Sequence, residues 1–548
     1  MSEDTKLNES LDPPSMLDTS ERVIRVTRRE FFRRASALGA VSISPALLGS
    51  AHARGDAGSP FTLGVASGDP TARSVLLWTR LAPDPLNGGG MGNADADVSW
   101  RVALDPDMRH VVANGKVTAR ARNGHAVTVE ADELAPDTWY YYRFTYRGAR
   151  SRIGRTRTFP SRGTMARSMR FALVSCQHYE QGHYAAYRDI ATQELDFVLH
   201  VGDYIYEYAA DPNVPADRRH TGAEINSVVD YRNRYALYRL DRHLQDAHAL
   251  FPFILTWDDH EVDNNYAGRV PEDDQTAAAF AARRANAYRV YRETMPVRFQ
   301  DDDDEKTTRL YRRLSFGSLA DLMVLDTRQY RTDQPCGDNL VVLQTCPQIL
   351  DPNATLLGAR QEEWLFERLE RSRAVWNVLA QQVMMTRWDL GVLTGQPVNF
   401  FNVDAWDGYQ VARDRVTGFL GSRQIRNPVI LTGDVHSSWA ADPRRNAIDT
   451  GSPIVASEFV CSSISSAFGD GNHGLVRATL PSNPHIRHLD GLHRGYALCT
   501  VTNQSWRTDF RAVERVAHPV FTVPSADQRV FDLASYGLTA GRQGVRKL

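Results

Sequence analysis

Short apolar runs separated by turns fill the chain between residues 61 and 160. The runs are residues 74–80, 98–102 and 126–129, and in each of them apolar and polar positions alternate. Alternation of this kind is typical of β-strands that bury one face, and no helix-length periodic segment interrupts it. The pattern predicts an all-β sandwich over residues 54–163. The alternative is that these strands extend the sheet of the following domain.

From Met169 onward, apolar runs alternate with segments of helical periodicity. The predicted strands are residues 170–175, 196–201, 253–257, 320–325, 376–380 and 428–431. The predicted helices are residues 183–193, 229–249, 275–293 and 358–371. This βαβ alternation predicts a layered α/β sandwich over residues 164–525, with functional residues on loops at strand ends. Residues 526–548 are left as a C-terminal tail.

Two further features belong to the region before Met169. Residues 134–144 contain Trp139 followed by three tyrosines, and they resemble the tyrosine-corner strand of a fibronectin type III-like domain. Residues 160–166 have the composition of a linker.

The N-terminal 53 residues have the three parts of a targeting segment. Arg28 and Arg29 precede an apolar stretch, residues 35–53, which contains Pro45 and is too short and too weakly apolar to span a membrane. Ala51-His52-Ala53 forms a small-x-small cleavage site. The segment resembles a twin-arginine signal peptide, which implies export of a folded protein by the twin-arginine translocase to the periplasm or beyond. The alternative is an arginine-rich amphipathic start of the folded domain.

Charge and composition narrow the class of partner. The 64 Lys and Arg residues nearly balance the 66 Asp and Glu residues, so no global field would attract nucleic acid or an anionic membrane. We therefore expect no nucleic acid binding, and we expect a monomer. No GxxxxGK[ST] string is present in the sequence, which argues against nucleotide-driven chemistry. Any anion must be held by a local site.

The five cysteines are an odd number for a chain bound for an oxidising compartment. Cys336 and Cys346 lie in a loop rich in polar residues, where a local disulfide is expected. Cys461 and Cys499 lie in strand-like runs and either pair or are buried as small hydrophobic groups. Cys176 remains without an assigned partner.

Four polar clusters stand at the ends of predicted strands. They are residues 174–177, 202–206, 257–261 and 431–436. Each cluster alone has a plain structural alternative, such as a turn, a solvated helix start or a buried cysteine. Together, and in this order, they resemble the calcineurin-like metallophosphoesterase superfamily, whose members carry metal ligands at successive strand ends.

A narrower resemblance rests on longer strings. These are residues 61–70 (FTLGVASGDP), 77–81 (LWTRL), 202–208 (GDYIYEY), 257–261 (WDDHE), 325–331 (LDTRQYR) and 431–436 (LTGDVH). They resemble the PhoD family of alkaline phosphatases, and the similarity extends from about Phe61 to about Val513. The resemblance implies a metal-dependent phosphoric ester hydrolase.

The resemblance also implies a ferric site. By motif, Asp203 would bridge two metals, Tyr206 would supply a phenolate to Fe³⁺ and His436 would complete that site. Cys176 stands where the wider superfamily has an Asp, a departure shared with the PhoD family, in which the thiolate binds iron.

At the second metal, Asp259 and Asp434 occupy positions where the superfamily has Asn and His ligands. An oxygen-rich shell favours Ca²⁺ or Mg²⁺ over zinc, so a mixed iron and calcium centre is expected. Gln381 or Gln382 would add an amide oxygen, or would be a core or edge amide. Asp69 is a further candidate calcium ligand, with turn formation as the simpler alternative.

Two residues are predicted to act on the substrate. His260 takes the place of the superfamily's catalytic His, which contacts phosphate and protonates the leaving group, or else it is a supporting histidine. Arg328 would clamp a phosphate oxygen while Asp326 orients it, or would form a structural ion pair. Asn472 and His473, in a second Gly-Asn-His string, follow the last cluster and are predicted to lie outside the site.

The implied reaction is in-line attack by a metal-bound hydroxide on phosphate monoesters and diesters. Substrates would include small phosphate esters, phospholipid or cell-wall phosphates, and the role would be extracytoplasmic phosphate acquisition. A phospholipase D-like phosphodiesterase is the nearest alternative. A Tat-exported iron protein of redox or binding function is the alternative from another class.

Overall fold

The computed structural model describes residues 59–301, 308–337, 346–389, 402–514 and 525–548. The twin-arginine segment predicted over residues 1–53 lies outside the described residues. Within the described residues the predicted fold class is confirmed, since α/β layers follow a region made almost entirely of strands.

The strands and helices of the described residues are as follows. The N-terminal strands are β1 Val65–Gly68, β2 Val75–Arg80, β3 Ala96–Ala103, β4 Val111–Ala119, β5 Ala126–Ala131, β6 Trp139–Tyr146, β7 Ala149–Arg150 and β8 Gly154–Arg157. The middle strands are β9 Met169–Val174, β10 Phe197–His200, β11 Pro252–Leu255, β12 Gln300–Asp301, β13 Thr308–Arg309, β14 Arg312–Phe316, β15 Ala320–Val324, β16 Trp376–Ala380 and β17 Pro428–Thr432. The last strands are β18 Ser438–Ala441, β19 Ser457–Val460, β20 Ile486–Asp490, β21 Gly495–Val501, β22 Ser505–Val513, β23 Val530–Thr539 and β24 Arg546–Lys547. The helices are α1 Ala185–Ile190, α2 Val228–Arg239, α3 Arg242–Leu250, α4 Ala277–Thr294, α5 Gly358–Arg371, α6 Gln410–Ser422 and α7 Asp470–Ala478.

Two large sheets pack face to face and carry helices on their outer sides. One has the strand order β24-β23-β22-β21-β9-β10-β11-β1-β2-β5, and the other has the order β14-β15-β16-β17-β19-β18-β20. Their shared core joins Phe171 and Leu199 of the first sheet to Val378 and Leu431 of the second. Separate cores lie under α1 to α4 on one side and under α5 and α6 on the other. The result is a four-layer α/β sandwich.

Parallel pairing brings the motif-bearing strand ends together. β9, β10 and β11 are parallel neighbours in one sheet, and β15, β16, β17 and β19 are parallel neighbours in the other. Because parallel strands end at the same edge of a sheet, loops that follow them collect at one side of the domain.

The N-terminal sandwich forms, but it is not a separate layer pair. A sheet of β4-β3-β6-β7, with β8 beside β6, packs on β1, β2 and β5, and the shared core includes Val65, Leu77, Val102 and Tyr142. Strand β1 pairs in parallel with β11, so one sheet of the sandwich continues the sheet of the following α/β domain. Both arrangements considered from the sequence therefore coexist.

The tyrosine-corner prediction is confirmed by Tyr140. Its hydroxyl accepts a hydrogen bond from the N–H of Ala135 at 2.8 Å and donates to the Ala135 carbonyl at 3.4 Å. This link ties the start of β6 to the turn before it, as in fibronectin-like domains.

Two sequence predictions need correction. Residues 229–249 form two helices, because the Asp241 carboxylate accepts the N–H groups of His243 and Leu244 at 2.9 and 3.2 Å and starts α3. Residues 526–548 are not a separate tail, since β23 pairs along β22 and β24 pairs with β23 at the edge of the ten-stranded sheet.

The cysteines occupy two kinds of environment. Cys336 and Cys346 are joined in a disulfide, with their Cα atoms 6.0 Å apart. Cys461 and Cys499 are buried and do not pair, and Cys176 is also a buried free cysteine. Within the described part of the chain, no helix is long and apolar enough to cross a membrane.

Candidate metal centre

Four loops that follow buried strands supply the candidate ligands. Cys176 follows β9, Asp203 follows β10, Asp259 follows β11 and Asp434 follows β17. Strands β10, β11 and β17 are buried along their whole length, and β9 is buried except at Arg170, so each polar loop begins where a buried strand ends. The loops converge at the common edge that the parallel pairing creates.

The first cluster joins Cys176, Asp203 and His436. One ligand atom from each, a sulfur, a carboxylate oxygen and a ring nitrogen, all lie within 4.8 Å of one another. The Tyr206 hydroxyl stands beside them, 3.0 Å from Oδ2 of Asp203 and 3.1 Å from Nε2 of His436. Side chains from distant parts of the chain thus meet at distances that a single ion can bridge.

Two further clusters adjoin the first. Asp203, Asp259 and His260 form one, and Asp258, Asp259 and Asp434 form the other, each with ligand atoms within 4.8 Å of one another. Asp203 belongs to two clusters, and so does Asp259. A carboxylate shared in this way has the position of a bridging ligand. Asp258 was not predicted as a ligand, although it lies in the WDDHE string.

The backbone at these ligands is strained. Cys176, Asp203, Asp434 and His436 have φ values of 57°, 57°, 63° and 52°. A left-handed conformation costs a non-glycine residue roughly 1–2 kcal/mol, and such residues concentrate at functional sites. Four of them converging on one point indicate loops shaped to aim side chains inward.

Glu261 holds two of the loops together, a role that the sequence did not suggest. Its carboxylate accepts the N–H groups of Asp203 at 3.1 Å, Tyr204 at 2.6 Å and Asp258 at 2.8 Å. Burial raises the pKa of Glu261 to about 7, although these N–H groups lower it. The sequence signal that could have pointed to Glu261 is its place as a carboxylate in the WDDHE string, which follows the buried strand β11.

Ser466 is a second residue that the sequence analysis missed. Its hydroxyl lies 2.8 Å from the Tyr206 hydroxyl and 2.8 Å from the Cys176 carbonyl, and it accepts the N–H of His178 at 3.2 Å. It belongs to a serine-rich loop that follows β19, and only the fold brings this loop against Cys176. Ser466 therefore fixes the Tyr206 ring relative to Cys176.

The electrostatics of the centre favour a bound cation. Burial raises the pKa values of Asp203 and Asp258 well above the usual range, and nearby carboxylates, Asp259 foremost, raise them further against the opposing effects of His260 and Arg328. Burial and Asp203 likewise raise the pKa values of Cys176 and Tyr206. Among the described residues, Oδ1 of Asp203 and Oδ2 of Asp258 are buried without a hydrogen-bond partner. Cations would satisfy these oxygens, so the donor set fits metal ions.

His260 stands beside the clusters and pairs with Glu207. Its Nδ1 lies 2.8 Å from Oε2 of Glu207, while Oε1 of Glu207 accepts the N–H of Asn264 at 3.0 Å. Burial lowers the pKa of His260, but Glu207, Asp203 and Asp259 outweigh that effect and raise it well above its usual value. The imidazole is therefore suited to hold a proton.

The prediction for Arg328 is corrected. Its Nε contacts Asp258, and its two terminal nitrogens donate to the two oxygens of Asp404 at 2.7 and 2.8 Å. Asp326 accepts the backbone N–H of Arg328 at 3.0 Å but makes no hydrogen bond to its guanidinium, so the expected role of orienting the guanidinium is wrong. Arg328 is fully buried and occupied by carboxylates, which favours the structural ion pair over the phosphate clamp.

The two glutamines are placed as buried structural amides. The carbonyl oxygen of Gln382 accepts from the N–H and hydroxyl of Thr327, at 3.2 and 2.7 Å. The carbonyl oxygen of Gln381 accepts the indole N–H of Trp406 at 2.8 Å. Protein donors contact both carbonyl oxygens, which favours the alternative of a core amide for both glutamines.

Asp69 is also placed away from the centre. Its two carboxylate oxygens each accept a hydrogen bond of 2.7 Å from Arg312, and Oδ2 also accepts the N–H of Arg298. This ion pair occupies the carboxylate that was expected to bind calcium. The expectation that Asp69 binds calcium is therefore corrected. It could not be corrected from the sequence, because no local pattern connects Asp69 to Arg312 on β14.

Two other histidine groups lie outside the centre. His178, Glu180 and His220 come within 4.8 Å of one another, but His220 bonds through Nδ1 to the Tyr208 carbonyl and through Nε2 to the Tyr238 hydroxyl. His473 lies on α7, where its Nδ1 accepts the N–H of Gly491. The Gly-Asn-His string is therefore outside the clusters, as predicted.

Comparisons with known proteins agree with the geometry. A sequence model described as PhoD-like phosphatase matches residues 171–510, and a model of the PhoD-like phosphatase N-terminal domain matches residues 46–160. Alkaline phosphatase D of Bacillus subtilis (strain 168) is 46% identical over 486 residues, covering 87% of this chain and 82% of that protein. The solved structure of PhoD aligns with a TM-score of 0.84 at 45% identity, covering 89% of this chain and 92% of that chain.

Proposed function

The chain belongs to the PhoD-like phosphatase family, and we propose that it hydrolyses phosphate monoesters and diesters at an iron and calcium centre. The family makes the chain a phosphoesterase hydrolase. We propose, in addition, which metals it binds, which substrates it cleaves and which biological role it has.

The observation that carries the proposal is the pair of clusters that share Asp203. Cys176 and His436 form one cluster with Asp203, and Asp259 and His260 form another with the same residue. A hydrolytic centre needs cations near the phosphate and a proton donor near the leaving group, and these two clusters support both assignments.

The donor types suggest which cation each cluster holds. Cys176, Tyr206 and His436 offer a thiolate, a phenolate and an imidazole, a set that suits iron, with Asp203 as the shared carboxylate. Asp258, Asp259 and Asp434 offer only carboxylate oxygens, which suit calcium. Asp258 joins this set because of its position, although Arg328 also contacts it.

The chain's own residues would divide the remaining work. When bound, the cations supply the acidification of a water molecule and the neutralisation of charge on the phosphoryl group. His260 donates a proton to the leaving oxygen, and Glu207 holds its ring for that transfer. Glu261 keeps the backbone of Asp203 and Asp258 in register, so the two carboxylates keep their separation.

The proposed setting is outside the cytoplasmic membrane. The twin-arginine pattern around Arg28 and Arg29 supports export by the twin-arginine translocase to the periplasm or beyond. Release of phosphate from small esters, phospholipids or cell-wall polymers there would serve phosphate acquisition. The 64 Lys and Arg residues nearly balance the 66 Asp and Glu residues, so no global field would attract nucleic acid, and we do not propose a nucleic acid partner.

The test combines metal analysis with substrate comparison. Protein exported through its own signal is analysed for iron and calcium, and its activity is measured on a monoester and on a bis-ester of the same aryl alcohol. Cys176→Ser and Asp203→Ala should lose bound iron and activity together, whereas His260→Ala should keep iron and lose activity. Cys499→Ala, a change at another buried cysteine, should alter neither quantity.

Three outcomes would contradict the proposal. Full activity in protein that contains no metal would end the metal-dependent mechanism. Strong activity on the bis-ester with none on the monoester would replace it with the phospholipase D-like alternative. Bound iron without any phosphate release would point to the redox alternative.

A further inference from the structure

Three buried side chains form a chain of polar contacts that begins at the candidate iron ligand. The sulfur of Cys176 lies 3.2 Å from the Ser175 hydroxyl, and that hydroxyl lies 3.4 Å from the sulfur of Cys461. All three residues are at most 1% exposed. Ser175 follows β9 of one sheet and Cys461 follows β19 of the other, so the contact crosses the core of the sandwich.

The surroundings hold Ser175 tightly. A Cβ at Gly433 would lie 2.6 Å from both Cβ and Oγ of Ser175, so only glycine leaves room for this side chain. The Ser175 carbonyl accepts the N–H of Ile464 at 3.0 Å, and the next N–H, of Cys176, donates to the Gly202 carbonyl at 3.1 Å. The hydroxyl therefore has little freedom except rotation about its Cβ–Oγ bond.

The direction of the hydrogen bonds depends on the state of Cys176. A protonated Cys176 donates its S–H to Ser175. A cation that binds the sulfur displaces that proton to solvent, and the thiolate can then only accept. The Ser175 O–H must turn toward the Cys176 sulfur, and its oxygen becomes free to accept the S–H of Cys461. Ser175 and Cys461 each keep their own proton through this change.

We propose that Ser175 is a positioning residue that donates a hydrogen bond to the Cys176 thiolate, and that Cys461 orients the Ser175 hydroxyl for it. This inference rests on the proposed ligation of iron by Cys176. Hydrogen bonds to a metal-bound sulfur draw electron density from it and are one of the means by which proteins tune such centres.

The alternative is that Ser175 and Cys461 merely fill the core. Burying a hydroxyl without a hydrogen-bond partner costs roughly 1–3 kcal/mol. The core around Cys461 is built from apolar side chains such as Leu431 and Phe459, which do not hydrogen-bond to the Ser175 hydroxyl. The position of the Ser175 hydroxyl is better explained by a hydrogen bond to the sulfur of Cys176 than by core filling.

The test is the visible spectrum of the iron-loaded protein. A ferric thiolate absorbs visible light as an electron moves from sulfur to iron. Cys176→Ser reloaded with ferric iron to the same content identifies that band, because it lacks the thiolate band and keeps any band of the Tyr206 phenolate. Removing a hydrogen bond raises the energy of the sulfur electrons, so Ser175→Ala should move the band to longer wavelength and lower the reduction potential of the iron. Cys461→Ala should move it in the same direction by less, and Cys461→Ser, which keeps a donor, should restore it.

Controls separate this inference from the proposed function. Cys499→Ala changes a buried cysteine of the same core and should leave the band in place. Iron content is measured for every variant, so that a spectral shift is compared at equal loading. A thiolate band that stays at the same wavelength in Ser175→Ala would overturn the inference while leaving the iron site intact. Iron-loaded native protein with no band that depends on Cys176 would overturn both.

Discussion

The imidazole Nδ1 of His260 lies 2.8 Å from Oε2 of Glu207, and the other oxygen of that carboxylate accepts the N–H of Asn264 at 3.0 Å. Both side chains are buried. A carboxylate fixed at both oxygens holds the ring in one orientation and leaves Nε2 as the nitrogen that can face a substrate. Glu207 comes from the GDYIYEY string, so one motif supplies the candidate metal ligands Asp203 and Tyr206 and also the carboxylate that holds His260.

Replacing Glu207 with Gln should weaken proton donation rather than substrate binding. We expect kcat to fall about 10- to 100-fold on an alkyl phosphate, whose leaving group needs a proton, with a small change in KM. The loss should be much smaller on p-nitrophenyl phosphate, whose leaving group is stable as an anion. Steady-state kinetics on the two substrates measure the difference.

A matched control is available in a second His and carboxylate pair. Asp490 contacts His493 at 3.0 Å outside the candidate centre, so Asp490→Asn should leave kcat unchanged on both substrates. Equal losses of kcat on both substrates in Glu207→Gln would argue against a role in proton donation.

The same variant should change the pH profile. Glu207 is the foremost of the groups that raise the pKa of His260 against the effect of burial. In the proposed mechanism His260 acts in its protonated form, so activity should fall as pH rises through that pKa. Without the Glu207 charge the pKa drops, and the alkaline limb of the kcat profile should move to lower pH. An alkaline limb that stays in place would show that another group controls it.

Tyr206→Phe tests the phenolate ligand. The hydroxyl contacts Asp203, His436 and Ser466, and its removal should reduce bound iron and lower kcat by at least about tenfold. Tyr204→Phe is the matched control, because Tyr204 is equally buried but its hydroxyl pairs with His248 away from the clusters. Iron analysis of both variants decides the prediction. Equal iron in the two proteins would remove Tyr206 from the ligand set.

Much of the fold could be predicted because buried parallel strands are continuous apolar runs. The prediction for β16, residues 376–380, matches the structure at both ends, and β9 differs by one residue at each end. The pairing of β1 with β11 could not be predicted, because the two strands lie far apart in the chain and no local pattern encodes their register. The sequence therefore could not decide whether the N-terminal strands form a separate sandwich or extend the sheet of the following domain.

The candidate site shows the same division. The order of the motifs brings Cys176, Asp203 and His436 to one place, and the structure has them together. Hydrogen-bond partners that depend on long-range packing were missed or misassigned. Arg328 pairs with Asp404 rather than with Asp326. Ser466, which contacts Tyr206, lies far from it in the sequence. A sequence states which side chains can do chemistry, but hydrogen-bond partners depend on the packing of distant loops.

Removal of the metals should make stability depend strongly on pH. In the metal-free folded protein, burial raises the pKa values of Asp203 and Asp258 well above the value of about 3.9 expected in the unfolded chain. The folded state then binds more protons than the unfolded state at neutral pH, so the free energy of unfolding falls as pH rises, by about 1.4 kcal/mol per pH unit for each extra proton.

Bound cations would replace those protons and flatten the dependence. Thermal midpoints measured between pH 6 and pH 8 should therefore fall more steeply in chelator-treated protein than in metal-loaded protein. Parallel curves for the two preparations would contradict the assignment of these carboxylates to a cation site.

Asp69→Asn should lower stability without removing metal. Both oxygens of Asp69 are held by Arg312 at 2.7 Å in a pair that is almost fully buried, and loss of the charge leaves a buried guanidinium without its counter-ion. Breaking such a pair from one side costs about 3–5 kcal/mol, so the midpoint of guanidinium denaturation should fall clearly. Iron and calcium contents should match those of the native protein, because Asp69 lies outside the ligand clusters found among the described residues. Loss of calcium with unchanged stability would instead restore Asp69 as a ligand.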